Sequence, residues 1–435
     1  MASEYVGLIG LGILVFLLLA RVPIGLSLVL VSFGGIYALI GARPAWGMLA
    51  SMPYDFTSKW TLSSVPMFLL MGFVCYHAGL TRGLFDAARS WLARLPGGLA
   101  VASVCGSAGF AAVTGSSIAC CAAMGRIAIP EMMRARYDPA LATGAIAAAG
   151  TLGALIPPSI LLILFGVFAE APISKLFIGG IGAGVVTALL YIGMIMIRAS
   201  LNPALAPRLD TLPPMSERLR HLRETWPVMA LLVVVIGGMF VGLFTATEAG
   251  AVGALAAIVI ALAKGSLTLG GVWESLKETL ITTSSLFVIA IGANLLTRFL
   301  ALSGAGDFIA DGIISIQADR LTLLIGVSLM YLVLGMFLDP LGAMLLTLPV
   351  MLPVLDQANI DIIWFGVFLA KFLEIGMITP PIGLNVFVIK GVVGDKVPLT
   401  TIFRGIGWFL AADFVAVVLF IAFPEIITWL PQFMD

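Results

Sequence analysis

Apolar stretches of about 20 residues, the length a helix needs to cross the hydrocarbon of a bilayer, recur from one end of this chain to the other. Hydrophobic residues make up 61% of the chain and charged residues 11%, against roughly half and a quarter in soluble domains. A water-soluble fold would have to bury more apolar surface than any core of this size holds. Segments 5–20, 24–42, 61–79, 139–169, 176–198, 226–243, 246–264, 279–300, 361–391 and 404–430 read as spans. The expected fold class is an all-α polytopic membrane protein of about ten transmembrane helices. The first run, Val6 to Ala20, lacks a basic start and a small-residue cleavage site, so it reads as a span rather than a signal peptide. The formal net charge is zero, which implies no nucleic-acid partner.

Cys75, Cys105, Cys120 and Cys121 all lie in apolar segments, and none has metal-ligand spacing with either histidine, His77 or His221. They read as small buried apolar side chains.

Two apolar stretches, 97–130 and 320–355, are broken in the middle by small, polar or proline residues and do not read as simple spans. Segments 45–59, 81–95 and 266–278 mix charges with apolar residues and read as helices lying along the interface. The only long polar loop, Ser200 to Thr225, carries Arg208, Arg218, Arg220 and Arg223. Cytoplasmic loops are enriched in Lys and Arg, so this loop is placed inside and both termini outside. The span count then makes 97–130 open to the cytoplasm and 320–355 to the outside. The flanks agree: Arg82, Arg89, Arg94, Arg126, Arg134 and Arg136 surround the first, while Asp307, Asp311, Asp319, Asp356 and Asp361 surround the second. Both stretches read as re-entrant hairpins entering from opposite faces.

An offset of 223 aligns the chain with itself without gaps through both broken regions. Pro130 falls on Pro353, Asp138 on Asp361, Gly153 on Gly376, Pro157 on Pro380 and Pro158 on Pro381. With the two copies in opposite orientation, this is the inverted repeat with interrupted helices that marks secondary transporters. The expected divisions are 1–60, N-terminal scaffold helices; 61–199, first repeat; 200–225, cytoplasmic linker; 226–278, scaffold and arm helices; and 279–435, second repeat.

Each repeat contains two breaks. In the first they are Thr114-Gly115-Ser116-Ser117 and Gly150-Thr151-Leu152-Gly153, with Pro157-Pro158 following. In the second they are Leu338-Asp339-Pro340 and Gly376-Met377-Ile378-Thr379-Pro380-Pro381. A proline removes a backbone donor and clashes with the preceding turn, so a pair unwinds the helix and frees carbonyls. Free backbone inside a membrane persists only where protein, water or a ligand completes it. Carbonyls with Ser and Thr hydroxyls suit a hard cation such as sodium. New helix N-termini beyond each break suit a carboxylate. Against these readings stand simpler ones: Ser116 and Ser117 as helix caps, the Pro-Pro pairs as kinks, and Asp339 as an N-cap. Lys371 and Glu374, three apart on a helix, are expected to pair with each other. Glu248 is expected to anchor a helix start.

The text GSSIA, GTLGALIPPS, TATEAGAVGAL, MFLDPLGAMLLTLPVMLP and FGVFLAKFLEIGMITPPIGLNVFV resembles the large membrane subunit of tripartite ATP-independent periplasmic (TRAP) transporters, over essentially the whole chain. The run KFLEIG departs from the family form, in which an asparagine often stands near Phe372. The resemblance implies elevator-type architecture, in which a transport domain carrying both hairpins moves against a scaffold in the bacterial inner membrane. It implies partnership with a small four-helix membrane subunit and a periplasmic substrate-binding protein, and sodium-driven uptake of carboxylates such as C4-dicarboxylates or sialic acid. Carried over by motif, one sodium is expected at Ser116, Ser117, Gly150, Gly153 and Pro157. A second is expected near Asp339, Gly376, Thr379 and Pro380. Ser116, Thr151 and Thr379 are the expected substrate contacts.

A stand-alone carboxylate or ion transporter needing no binding protein is the main alternative. A channel would call for rings of like charge or a repeated pore motif, and neither is visible. An enzyme is disfavoured by the lack of an HExxH motif and of Ser/His or paired-carboxylate arrangements.

Overall fold

The computed structural model describes residues 3–207, 213–315 and 319–434; Arg208 of the basic loop lies outside them. The described chain is helical throughout, with no strand among the described residues. The first half runs α1 (Ser3–Leu19), α2 (Ile24–Ile40), α3 (Ala42–Thr57), α4 (Ser64–His77), α5 (Arg82–Leu92), α6 (Gly98–Thr114), α7 (Ser117–Arg134), α8 (Pro139–Gly150), α9 (Ile160–Phe168) and α10 (Ile173–Leu201). The linker carries α11 (Met215–Glu224). The second half runs α12 (Trp226–Phe240), α13 (Ala246–Ala263), α14 (Leu269–Ser303), α15 (Ala305–Ser315), α16 (Arg320–Phe337), α17 (Pro340–Gln357), α18 (Ile362–Gly376), α19 (Leu384–Val393) and α20 (Leu399–Ala422).

The offset of 223 carries the bounds of helix after helix onto its mate. It takes α2 to α13, α5 to α15, α6 and α7 to α16 and α17, α8 and α9 to α18 and α19, and α10 to α20, each within a few residues. The repeated aspartates have the same job in both copies. Asp138 accepts from the Ala140 and Leu141 N–H groups at 2.9 and 3.0 Å, and Asp361 from Trp364 N–H at 2.7 Å, each capping the helix that leads to a break. One element differs. In the first half the arm α3 and the span α4 are separated by a short 3-10 turn at Trp60–Ser63, whereas α14 joins the corresponding arm and span in one 35-residue helix. The segment 266–278 is therefore the start of α14 rather than a separate helix.

The two halves are interlocked. Helix α2 packs on α14, and its mate α13 packs on α4; α8 packs on α20, and its mate α18 on α10; α7 packs on α19, and its mate α17 on α9. Every one of these pairs joins a helix of one half to a helix of the other, so neither half closes a core by itself. Close approach is made by glycines: a Cβ on Gly144 of α8 would lie 2.7 Å from the Gly405 carbonyl carbon of α20. Small residues at such crossings let backbones approach where lipid offers no hydrophobic drive.

Helices α6 and α7 fold back on each other, and the Tyr137 hydroxyl just beyond α7 accepts from Leu99 N–H at the start of α6, at 3.2 Å. Helices α16 and α17 do the same, joined by Tyr331 and Thr347, whose hydroxyls lie 2.7 Å apart. By length and hydropathy alone α16 and α17 would each pass as a full crossing. Their tip, however, meets the α6–α7 tip at one shared cavity. Hairpins from opposite faces whose tips meet in this way are re-entrant. Besides the hairpins, α4, α10, α13, α14 and α20 are long and apolar enough to cross a membrane, as is the bent α11–α12 pair taken as one span; α1, α2 and the broken pairs α8–α9 and α18–α19 are shorter and correspond to the remaining expected spans. With the expected spans as crossings, α2 and its mate α13 are an odd number of crossings apart, the relation of inverted repeats.

Candidate ion and substrate site

The first hairpin turns at Gly115, which takes a positive φ of 62°, a conformation that suits glycine. A side chain there would collide with the Pro158 carbonyl oxygen, so the tip is seated directly on the first break. Ser116 is the N-cap of α7, its Oγ accepting from Ala119 N–H at 3.4 Å. Gly153 approaches from the break: a Cβ on it would lie 2.8 Å from the Ser116 carbonyl carbon and 2.9 Å from the Ser117 nitrogen. A Cβ on Gly150 would lie 3.2 Å from the Ser117 carbonyl oxygen. Ser117 and Pro157 are buried, and the Pro157–Pro158 bond is cis. The structure thus gathers Ser116, Ser117, Gly150 and Gly153 in one place, with Pro157 buried in the adjoining unwound segment.

The second set is dispersed. Asp339 is the N-cap of α17, its carboxylate oxygens accepting from Leu341 and Gly342 N–H at 3.0 and 3.2 Å. Pro340 follows at the first helical position, where no N–H is needed. Gly376 packs on the last turns of α16, where its Cβ would lie 2.5 Å from the Gly335 carbonyl carbon. Thr379 donates its hydroxyl to the Ile375 carbonyl at 2.6 Å and faces an apolar groove of about 660 Å³ between α16, α18 and α20. Pro380 is exposed, unlike its buried mate Pro157, and its bond to Pro381 is cis.

The two hairpin tips share a cavity of about 150 Å³, lined by Ser116, Ser117, Thr282, Asp339, Glu374 and Met377 among others. No Lys, Arg or His lines it. Helices α7 and α17 both begin at its wall, so two positive dipole ends converge where two carboxylates also lie. Beside it, sharing Ser116, Ile118, Ile160 and Thr282, is a larger cavity of about 350 Å³ between the first hairpin and helices α4 and α14. Tyr76, Phe110, Thr114 and Glu278 line that one, and Glu278 pairs with His77 at 3.1 Å.

Lys371 does not pair with Glu374. It reaches across to α20 and donates to Asp413 Oδ1 at 2.5 Å, both side chains essentially inaccessible to solvent. The Tyr191 hydroxyl donates to the same oxygen at 2.6 Å. Thr151 donates to the Ala148 carbonyl at 2.6 Å and lies 3.4 Å from the Tyr191 hydroxyl oxygen, so it faces this network and not the tip cavity. The i, i+3 spacing permitted a local pair, but a buried ammonium needs a desolvated counterion aimed at it, and Asp413 is so aimed. Asp413 was missed at the sequence level, although it is the only acid in α20 and intramembrane acids are functional candidates by default. Glu374 is left facing Ser117 and the tip cavity, with Oε2 lacking any hydrogen-bond partner.

Comparison with known proteins places this architecture. Residues 11–426 match the family described as tripartite ATP-independent periplasmic transporter, DctM component. The chain is 31% identical over 419 residues to the sialic acid TRAP transporter large permease protein SiaM of Vibrio cholerae, covering 96% of each chain. It is 33% identical over 402 residues to the C4-dicarboxylate TRAP transporter large permease protein DctM of Pseudomonas aeruginosa, covering 92% of this chain and 91% of that one. The crystal structure of the Alcanivorax borkumensis YdaH transporter is similar in fold, with TM-score 0.61 over 89% of this chain and 91% of that chain at 16% identity.

Proposed function

The chain belongs to the DctM-component family of TRAP transporters, and from that premise we propose that it couples sodium entry to the uptake of a small organic anion. It is a multi-pass protein of the inner membrane. The relatives named for sialic acid and for C4-dicarboxylates suggest a carboxylate cargo of that size. In this reading a periplasmic binding protein delivers the substrate, a small four-helix membrane subunit completes the membrane part, and both hairpins travel with the cargo in an elevator movement against the scaffold.

The observation that carries the reading is the convergence of Ser116, Ser117 and Asp339 on one cavity at the tips of two inverted hairpins. Hydroxyls, carboxylates and freed carbonyls make an oxygen-rich shell for a hard cation. The helix N-termini supply the complementary pull on an anion. Size divides the two roles. The space between the tips, about 150 Å³, is the smaller of the two and suits an ion. The adjoining 350 Å³ cavity accommodates an organic acid.

Thermal unfolding of the purified chain in sodium, potassium and choline chloride at equal ionic strength tests the coupling ion. A ligand that binds only the folded state raises stability by roughly 2.7 kcal/mol at a hundred times its Kd. A saturable rise in sodium alone is the expected result; equal curves in all three salts would overturn the assignment of sodium. Uptake into proteoliposomes with and without the binding protein then separates a tripartite system from a stand-alone carrier.

A further inference from the structure

We propose that Glu374 is a direct ligand of the coupling cation, completing from α18 a site whose opposite wall is Asp339 at one hairpin tip and Ser117 at the other. The proposal rests on the sodium-coupled reading above and adds to it a residue, and a bridge between the two repeats.

The first argument is charge. Glu374 is 2% exposed, lines the tip cavity, and has an oxygen with no hydrogen-bond partner. Its helical neighbour Lys371, one turn back, hydrogen-bonds Asp413 rather than Glu374. No basic side chain lines the cavity, while a second carboxylate, Asp339, does. A carboxylate taken out of water with an open coordination position is strongly unfavourable unless a cation answers it. Here the nearest ammonium, Lys371, makes its ion pair with Asp413, and no protein cation reaches Glu374 Oε2.

The second argument is the repeat. Under the 223-residue offset Glu374 falls on Thr151. Thr151 turns its hydroxyl away, into the Ala148 carbonyl, and touches Tyr191. The equivalent position in the second repeat thus offers a carboxylate to the cavity where the first offers nothing. The tip cavity receives donors from the first hairpin, the second hairpin and α18, so a cation bound there touches both repeats. Its presence also makes the cavity hospitable to an anionic substrate that two bare carboxylates would repel.

The test is a sodium titration of thermal stability on the full-length chain and Glu374→Gln, with choline chloride balancing ionic strength. The expected result has two parts. The half-saturating sodium concentration rises at least tenfold in Glu374→Gln. In choline alone, Glu374→Gln unfolds at or above the temperature of the parent, because an unanswered charge is gone. A half-saturating concentration unchanged in Glu374→Gln would overturn the proposal while leaving sodium coupling intact. A lower midpoint in both salts with unchanged sodium affinity would also overturn it and make the role structural. Absence of any sodium response in the parent would instead overturn the reading on which the proposal rests. Should Glu374→Gln not be recovered folded, Glu374→Asp, which keeps the charge but withdraws it by one methylene, is expected to weaken sodium at least threefold; unchanged affinity there counts against the proposal.

Discussion

Ser116 and Asp339, 223 residues apart in sequence, occupy one position in the fold: each caps the second helix of its hairpin, and both face the same 150 Å³ cavity. The proposed ion ligation would use the same atoms as the capping, and substitutions can separate the two roles. Asparagine caps helices about as well as aspartate. Asp339→Asn is expected to unfold in choline chloride at the parent's temperature while losing most sodium-dependent uptake. Asp339→Ala is expected to lose both, with about 1 kcal/mol of stability gone with the cap. Paired unfolding and uptake measurements check this; an Asp339→Asn protein with normal sodium dependence would confine Asp339 to capping.

The Lys371–Asp413 pair makes a different kind of prediction. Removing one partner of a buried ion pair leaves an uncompensated charge and costs about 3–5 kcal/mol. Lys371→Met is expected to destabilise by that order, and the double variant Lys371→Met, Asp413→Asn to recover most of the loss. Chemical or thermal unfolding of the single and double variants measures it. Equal loss in both would show that packing around Lys371, rather than charge, is what the site requires.

Gly153 is where the first break touches the first tip. A methyl group there meets backbone at 2.8 and 2.9 Å, which no side-chain movement relieves. Gly153→Ala is expected to displace the Ser116–Ser117 turn and weaken sodium at least tenfold. Gly193→Ala, on α10 with nothing within 4 Å of the added carbon, is the matched control and is expected to be silent.

Gly72 lets the first hairpin approach α4, its hypothetical Cβ lying 3.2 Å from the Val113 carbonyl oxygen and the Thr114 Cα. If the hairpin travels along this surface, Gly72→Leu is expected to lower uptake at least tenfold while sodium-dependent stabilisation stays within twofold of the parent. A parallel loss of sodium binding would indicate that the substitution distorts the site instead of obstructing movement.

Much of this molecule was legible in its sequence because membranes simplify the code. Span length, proline pairs and the 223-residue echo gave the helices, both hairpins and the two breaks, since unsatisfied backbone in lipid leaves few alternatives. The gathering of Ser116, Ser117, Gly150 and Gly153, with Pro157 adjoining, was readable for the same reason, all of them lying at the interruptions of one repeat. What was not readable depends on side-chain direction across helices. Lys371 had a sequence neighbour in Glu374 and a spatial partner in Asp413, 42 residues on, and only the packing of α18 on α20 decides between them. Thr379 likewise lies on the expected break yet faces a groove away from the tips.

The exchange of helices between halves has a consequence for biosynthesis. Helices α2, α4, α7 and α8 each have a packing partner encoded beyond the linker. At ~5–20 residues per second of translation, the first half waits roughly 10–40 s in the membrane for the roughly 200 residues that complete it. During that interval its unwound segment and serine-tipped hairpin pack on each other but lack α17, α19 and α20. Polypeptides truncated after residue 200 are therefore expected to be degraded rather than to accumulate, and co-expression of the two halves as separate chains to rescue both.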